Sequence, residues 1–349
     1  SRAATAFTDR TQNGSLERYI AMFIGAALVV GFASFSGFEF VAGDRPTTPA
    51  SPMAIIAWGA LITATVLVLL HHRARYLSLI YIGIVGLVIS LGFVHLSAPD
   101  LALTQISVEV VTILLMLLAL NLLPKTSPRE SGLPRRLRDG GLAVLSGLGV
   151  GGAAWAVMTR PLDSISAYFW ENAYSGGGGT NVVNVILVDF RGFDTFGEII
   201  VLGIAALAIF ALLETVGTGA SGRRILAWLP DTPRSPEHHP MMLVVATRLL
   251  LPLAVMVGLY IFLRGHNQPG GGFIAGLVIS IAILMQYMAS GYQFAAQRLR
   301  ADHHTLIGLG VLIAAATGLG SLLFGAPFMT TAFDYFSLPV IGAFELVTA

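Results

Sequence analysis

The sequence predicts an all-α, polytopic membrane protein of about nine to ten transmembrane helices in two helical modules, and three observations carry that prediction. Its 349 residues are 55% hydrophobic and 11% charged, with a mean hydropathy of +0.77, whereas soluble domains carry roughly 25% charged residues. Nine stretches reach the about 20 apolar residues that a bilayer-spanning helix needs. The basic residues between those stretches alternate, segment by segment, from one side to the other.

The nine spans are read at about 18–38, 52–70, 76–96, 100–123, 141–159, 195–213, 241–263, 270–290 and 305–325. A tenth begins at Leu338 and reaches Ala349 without the length to span, so both ends read as truncated or continued elsewhere. With these spans, 15 of the 20 basic residues, from Arg2, Arg10 and Arg18 to Arg298 and Arg300, share one side. Only Arg45, Arg160, Arg191 and Arg264 fall opposite, and Arg248 lies within a span. By the positive-inside rule the amino terminus is cytoplasmic, in a bacterial inner membrane, and the stretch RGFDTFGE at 191–198 lies on the outer side or dips inward from it.

The segment 223–240, RRILAWLPDTPRSPEHHP, carries four prolines and two adjacent histidines and reads as a cytoplasmic linker. It divides the chain into modules 1–234 and 235–349. The loop 160–193 contains SGGGGTN and then NVVNVILVDF, an apolar run too short to span, which reads as an interfacial or re-entrant segment.

Several function classes fall away. A net charge of +1 with scattered arginines offers no basic stripe for nucleic acid. Zero cysteines remove disulfides, thiolate-held zinc and iron–sulfur clusters. No HExxH or comparable ligand spacing occurs, so no metal-enzyme site and no cofactor is expected. The polar opening stretch shows no signal peptide. The single lysine, Lys125, lies in a loop, so the chain holds no membrane-embedded lysine relay.

Charged side chains at bilayer depth cost about 2.5–3.5 kcal/mol on insertion scales and face protein or water. Glu109 is the clearest, near the middle of its span with Gln105 and Thr112 one turn either side. Burial and a nearby cation would pull its proton affinity in opposite directions, the competition a proton relay needs. The alternative is a protonated glutamate hydrogen-bonded across a helix interface. In RGFDTFGE, Thr195 and Glu198 have the spacing of a capping box. That leaves Arg191 and Asp194 unexplained, along with Asp189. A helix extended back to Arg191 would instead stack Arg191, Asp194 and Glu198 on one face at i, i+3 and i+7. Asp100 is read as a helix-start carboxylate suited to the helix dipole, His95 as a helix-end histidine, Glu214 as solvated, and Arg248 as a snorkelling side chain.

The hairpin RGHNQPGGGF at 264–273 places Pro269 in the first turn of the following helix, where its missing N–H costs nothing. Gly270, Gly271 and Gly272 then need a reason, since glycine in a helix costs about 1 kcal/mol relative to alanine. Close helix packing is the favoured one, with Phe273 filling the space beside them, and an ion approaching bare N–H groups the alternative.

Three segments, PDLALTQISVEVVTILLMLLALNLLP, NVVNVILVDFRGFDTFGEIIVLGIAAL and RLLLPLAVMVGLYIFLRGHNQPGGGFIAGLV, together resemble the multisubunit Mrp-type Na+/H+ antiporters. The first two resemble the carboxy-terminal part of the large A-type subunit and the third resembles the B-type subunit. The resemblance implies a fused A/B polypeptide in a secondary transporter that exchanges internal Na+, or in some members Li+ or K+, for external H+. Its partners would be the remaining part of the A-type subunit and the C to G type subunits. It further implies that Glu109, Pro124, Arg191 and Glu198 in the A-type part, and Pro269 and Phe273 in the B-type part, matter for transport or assembly. The A-type region is also similar to the J-type membrane subunit of respiratory complex I and to membrane-bound hydrogenases. A redox-driven membrane arm and a purely structural scaffold are therefore the rival readings.

Overall fold

The computed structural model describes residues 4–5, 8, 11–12, 14–35, 37, 43–122, 132–161, 163–218, 241–291, 294–295, 297, 302–323, 325–331, 333–338 and 342–347. Pro124 and the module boundary expected near residue 235 lie outside the described residues.

The helices are α1 (Leu16–Ser34), α2 (Pro52–His71), α3 (Arg75–His95), α4 (Pro99–Leu122), α5 (Leu133–Thr159), α6 (Ser166–Gly177), α7 (Val182–Val185), α8 (Gly192–Thr218), α9 (Met241–Arg264), α10 (Gly272–Ser290) and α11 (His303–Leu323). A π-helical turn, Ile186–Phe190, lies between α7 and α8. Among the described residues nine helices, all but α6 and α7, are long and apolar enough to cross a membrane, matching the sequence reading span for span. Prolines open α2 and α4, positions where no amide hydrogen is needed. The 12-residue α6 ends on Gly178, whose φ of +74° is left-handed and whose N–H returns to the Tyr174 carbonyl.

Burial follows the rule for a lipid solvent. Large apolar side chains such as Phe23, Ile56 and Met242 are exposed, while the buried positions are mostly small: Ala64, Ser78, Ser90, Ala102, Ser107, Ala275, Ala282, Ala289 and Ser290. Lipid is as apolar as leucine, so helices associate where small residues let backbones approach and polar groups meet.

The chain divides into two compact units. One comprises Ser1–Ser51 and Lys125–Ser164. Within it α1 lies against α5, and Glu17 accepts from Arg135 at 2.9 Å and Arg138 at 2.5 Å. The other comprises Pro52–Pro124 and Ile165–Ala349, so α2 to α4 belong with everything from α6 onward. Here α2, α3 and α4 pack in succession, α9 pairs with α10, α10 also packs on α4, and α8 meets α11.

Two sequence expectations change. The segment read as the start of a tenth helix forms instead an antiparallel hairpin of β1 (Phe333–Leu338) and β2 (Gly342–Val347), with Phe333 opposite Val347 and Leu338 opposite Gly342. Aromatic and β-branched residues suit a strand, and the segment is too short for the about 20 residues of a spanning helix. The loop 160–193 is helical over most of its length, through α6, α7 and the π turn.

Candidate functional site

Glu109 is placed by two helices. It follows Asp100, in the first turn of α4, by nine residues, about 13 Å of helix rise and close to half of an about 30 Å hydrocarbon core. Its carboxyl group lies against Gly86 of α3, so closely that a methyl group on Gly86 would overlap it. The neighbouring Ser90 hydroxyl is already donated to the Gly86 carbonyl at 3.1 Å. Glu109 Oε1 is buried and has no hydrogen-bond partner among the described residues. A carboxyl oxygen at this depth with no donor is satisfied by a proton or by a cation, which is the property an exchange site requires.

The charged cluster is arranged differently from the expectation. The π turn places Arg191 at its end and starts α8 at Gly192, which puts Thr195 inside the helix. Its hydroxyl donates to the Leu187 carbonyl at 2.6 Å, so no capping box forms with Glu198. Arg191 does pair with Asp194, at 2.6 Å, with both side chains more than half exposed. Glu198 lies one turn further along α8 and is not part of that pair. Asp189, inside the π turn, accepts from the Thr331 hydroxyl and lies where a methyl group on Gly177 would meet it at 2.7 Å.

The glycine hairpin departs furthest from expectation. Asp100 is more than a cap: its Oδ1 accepts the Gly270 N–H at 2.8 Å and faces the Asn181 amide nitrogen at 3.4 Å. Asn181 also donates to the carbonyls of Gly265 and Gln268, at 3.0 and 3.1 Å, and its backbone N–H donates to the His266 carbonyl at 3.1 Å. Thr180 binds Asn267 twice, through its N–H at 3.0 Å and its hydroxyl at 2.9 Å. His266 Nε2 stands 2.6 Å from the Gly177 carbonyl, which can only accept, so Nε2 carries the proton. Arg264 closes the loop from within by donating to the Pro269 carbonyl at 2.9 Å. The loop between α9 and α10 is thus clamped by Asp100 and by residues 177–181.

This geometry explains the glycines. α10 begins at Gly272, so Pro269 to Gly271 precede the helix rather than forming its first turn. A methyl group on Gly270 would fall 2.5 Å from the Ile261 carbonyl oxygen, and Gly271 has φ +112°, which side chains rarely adopt. Phe273 is 58% exposed, and the ring beside the glycines belongs to Phe262, 3.6 Å from a methyl group on Gly272. Asp100, Thr180, Asn181 and His266 were not singled out as a group by the sequence. A helix-start aspartate and a polar TN pair after glycines were the available signals.

Comparison with known proteins places three family models along the chain: MbhD, of the MBH family, on residues 60–125, MbhE, of the same family, on 134–220, and "Domain related to MnhB subunit of Na+/H+ antiporter" on 242–349. A probable K+/H+ antiporter A/B-type subunit of Rhizobium meliloti is 45% identical over 79% of this chain and 30% of its own length. The A-type subunit of the Na+/H+ antiporter of Alkalihalophilus pseudofirmus is 36% identical, over 61% of this chain and 27% of its own. The B-type subunit of the Na+/H+ antiporter of Bacillus subtilis is 41% identical over 32% of this chain, a match that takes in 78% of that protein. A solved Mrp complex from a Dietzia species superposes with a TM-score of 0.80 at 30% identity, over 99% of this chain and 38% of that one. The chain therefore spans about 30% of the A/B-type relative and most of the B-type relative.

Proposed function

The chain belongs to the multisubunit Mrp-type Na+/H+ antiporter family, with an A-type carboxy-terminal portion followed by a B-type portion in one polypeptide, and from that premise we propose that it is a membrane subunit of a cation/proton antiporter. It works inside a hetero-oligomer in the bacterial cytoplasmic membrane, exchanging cytoplasmic Na+ for external H+, with its amino terminus in the cytoplasm as the basic-residue asymmetry implies. It is a transporter component rather than an enzyme, and the boundary between its A-type and B-type portions falls near residue 235.

The observation that carries this reading is Glu109, whose buried, unpartnered carboxyl oxygen sits at mid-span beside Gly86, as judged among the described residues. Glu109 exchanges a proton or a cation with water entering between helices. Arg191, Asp194 and Glu198 form the outer approach, where the Arg191–Asp194 pair keeps Asp194 ionised and leaves Glu198 available. Pro269, Gly270, Gly271 and Gly272 shape the clamp that joins the A-type and B-type portions.

The test introduces Glu109→Gln and Glu198→Gln separately into the complete complex and follows collapse of a pH gradient on adding Na+ or K+ to inverted membrane vesicles. Immunoblots of the assembled complex run alongside. Glu109→Gln is expected to assemble and to lose exchange or shift its pH optimum. Exchange at parental rates and pH dependence in both variants would reduce the chain to a scaffold.

A further inference from the structure

Three polar groups on the α9–α10 hairpin are buried without a hydrogen-bond partner among the described residues: Arg248 Nε, Gln286 Nε2 and Ser290 Oγ. Gln286 is 5% and Ser290 3% exposed, so neither reaches solvent or headgroups. The three stand at one level. Gly258 of α9 lies against Ala275 and Ile279 of α10, and Gly271 N–H donates to the Ile261 carbonyl at the turn, so the helices run antiparallel. Ten residues from Gly258 toward Met241 lead to Arg248, and ten from Ala275 and Ile279 toward Ser290 lead to Met285–Ala289. Gln286 is in that interval and Ser290, at i+4, shares its face. Among the described residues, the Arg248 guanidinium stands over the Phe294 ring, at 5.0 Å, rather than against a carboxylate.

All three atoms are donors, and one belongs to a permanent cation. Burying such a set without an acceptor is costly, and an unpaired charge the most so. No aspartate or glutamate occurs anywhere in α9, α10 or α11, and Glu109 of α4 is seated against Gly86. Arg248 stands seven residues, about 10 Å, from the Met241 end of a helix that is about 36 Å long, well inside the hydrocarbon layer. A phospholipid headgroup stays outside that layer, whereas a side chain on a neighbouring transmembrane helix reaches it. We propose that Arg248, Gln286 and Ser290 form a seat for the carboxylate of an aspartate or glutamate on a transmembrane helix of another subunit. The seat rests on the reading of the chain as one subunit of a complex. It supplies an intersubunit ion pair remote in sequence from Glu109 and the charged cluster, in a geometry suited to fixing which helix docks here.

The experiment places Arg248→Lys, Arg248→Met, Arg248→Glu and Gln286→Leu in the full-length polypeptide within its complete complex. It measures how much of each other subunit is retained, per molecule of this chain, after detergent purification. Arg248→Lys is expected to retain near-parental amounts. Arg248→Met is expected to lose at least one subunit by on the order of 30-fold, the scale of breaking a buried charge pair. Arg248→Glu is expected to abolish retention and Gln286→Leu to reduce it, while all chains accumulate in the membrane. Methionine and leucine enter a bilayer more readily than the residues they replace, so poor insertion of Arg248→Glu would leave the result to those two. Parental retention in Arg248→Met and Gln286→Leu overturns the seat, and so does loss of a co-purifying anionic lipid with every subunit retained. If the parent itself retains no other subunit, the proposed function fails rather than the seat.

Discussion

Replacing Asp100 tests the clamp most sharply, because one side chain touches both partners of the loop. Asp100→Ala removes a charge-assisted hydrogen bond to the Gly270 N–H at 2.8 Å and the facing contact with the Asn181 amide. A hydrogen bond to a charged group contributes about 1.5–3 kcal/mol. Gly270 is buried, so its N–H gains no water in exchange. At about 2–4 °C per kcal/mol for a unit of this size, the thermal midpoint of the purified complex should fall by about 3–12 °C. Asp100→Asn keeps an acceptor oxygen in place and should lose about half as much or less. Heating in detergent, with the folded fraction read by fluorescence size-exclusion, measures both. A midpoint within about 1 °C of the parent for Asp100→Ala, below the smallest shift the hydrogen bond implies, would refute the reasoning, since the clamp would then be incidental to the fold.

Other consequences follow from the same geometry. Gly270→Ala should disrupt the loop, because its methyl group would meet the Ile261 carbonyl oxygen at 2.5 Å, and Gly271→Ala should cost about 1–3 kcal/mol through its positive φ. Gly276→Ala, whose methyl group meets nothing within 4 Å, is the neutral control, and the same thermal assay ranks all three. Gly86→Ala should leave assembly intact and change the pH profile of exchange in vesicles, because its methyl group displaces the Glu109 carboxyl. Asp302 caps α11, and hydrogen bonds from the Thr305 N–H and hydroxyl hold its carboxyl below the ordinary aspartate value. A depressed value means the cap stabilises fully above about pH 3.9 and is lost as the pH falls through the folded value. Proteolysis near His303 should therefore be faster for Asp302→Ala than for the parent at about neutral pH, where the cap is fully ionised, with the difference closing in acid.

The nine spans were legible because each is a local property, an apolar run of sufficient length. Glu109 was legible for the same reason, as one carboxylate in such a run. The clamp was not, because it joins Asp100 to Gly270 and Gly177 to His266 across long stretches of chain, and no local periodicity reports a partner that far away. RGFDTFGE misled through a local competitor: its Thr195 and Glu198 have capping-box spacing, but the π turn over Ile186–Phe190 fixes the helix start at Gly192, ahead of both. The Leu338 segment was read by its hydrophobicity, whereas pairing with Phe333–Leu338 decided its structure. The donors at Arg248, Gln286 and Ser290 look ordinary singly and acquire meaning only from the antiparallel register of two helices.

The central claim is that Glu109 itself takes up and releases a proton or cation. The direct measurement is proton release from the purified, detergent-solubilised complex in weakly buffered solution when Na+ or K+ is added, compared between the parent and Glu109→Gln. The account predicts cation-dependent proton release in the parent and a clear deficit in the variant under conditions where both complexes are intact. Equal release from the two would contradict it.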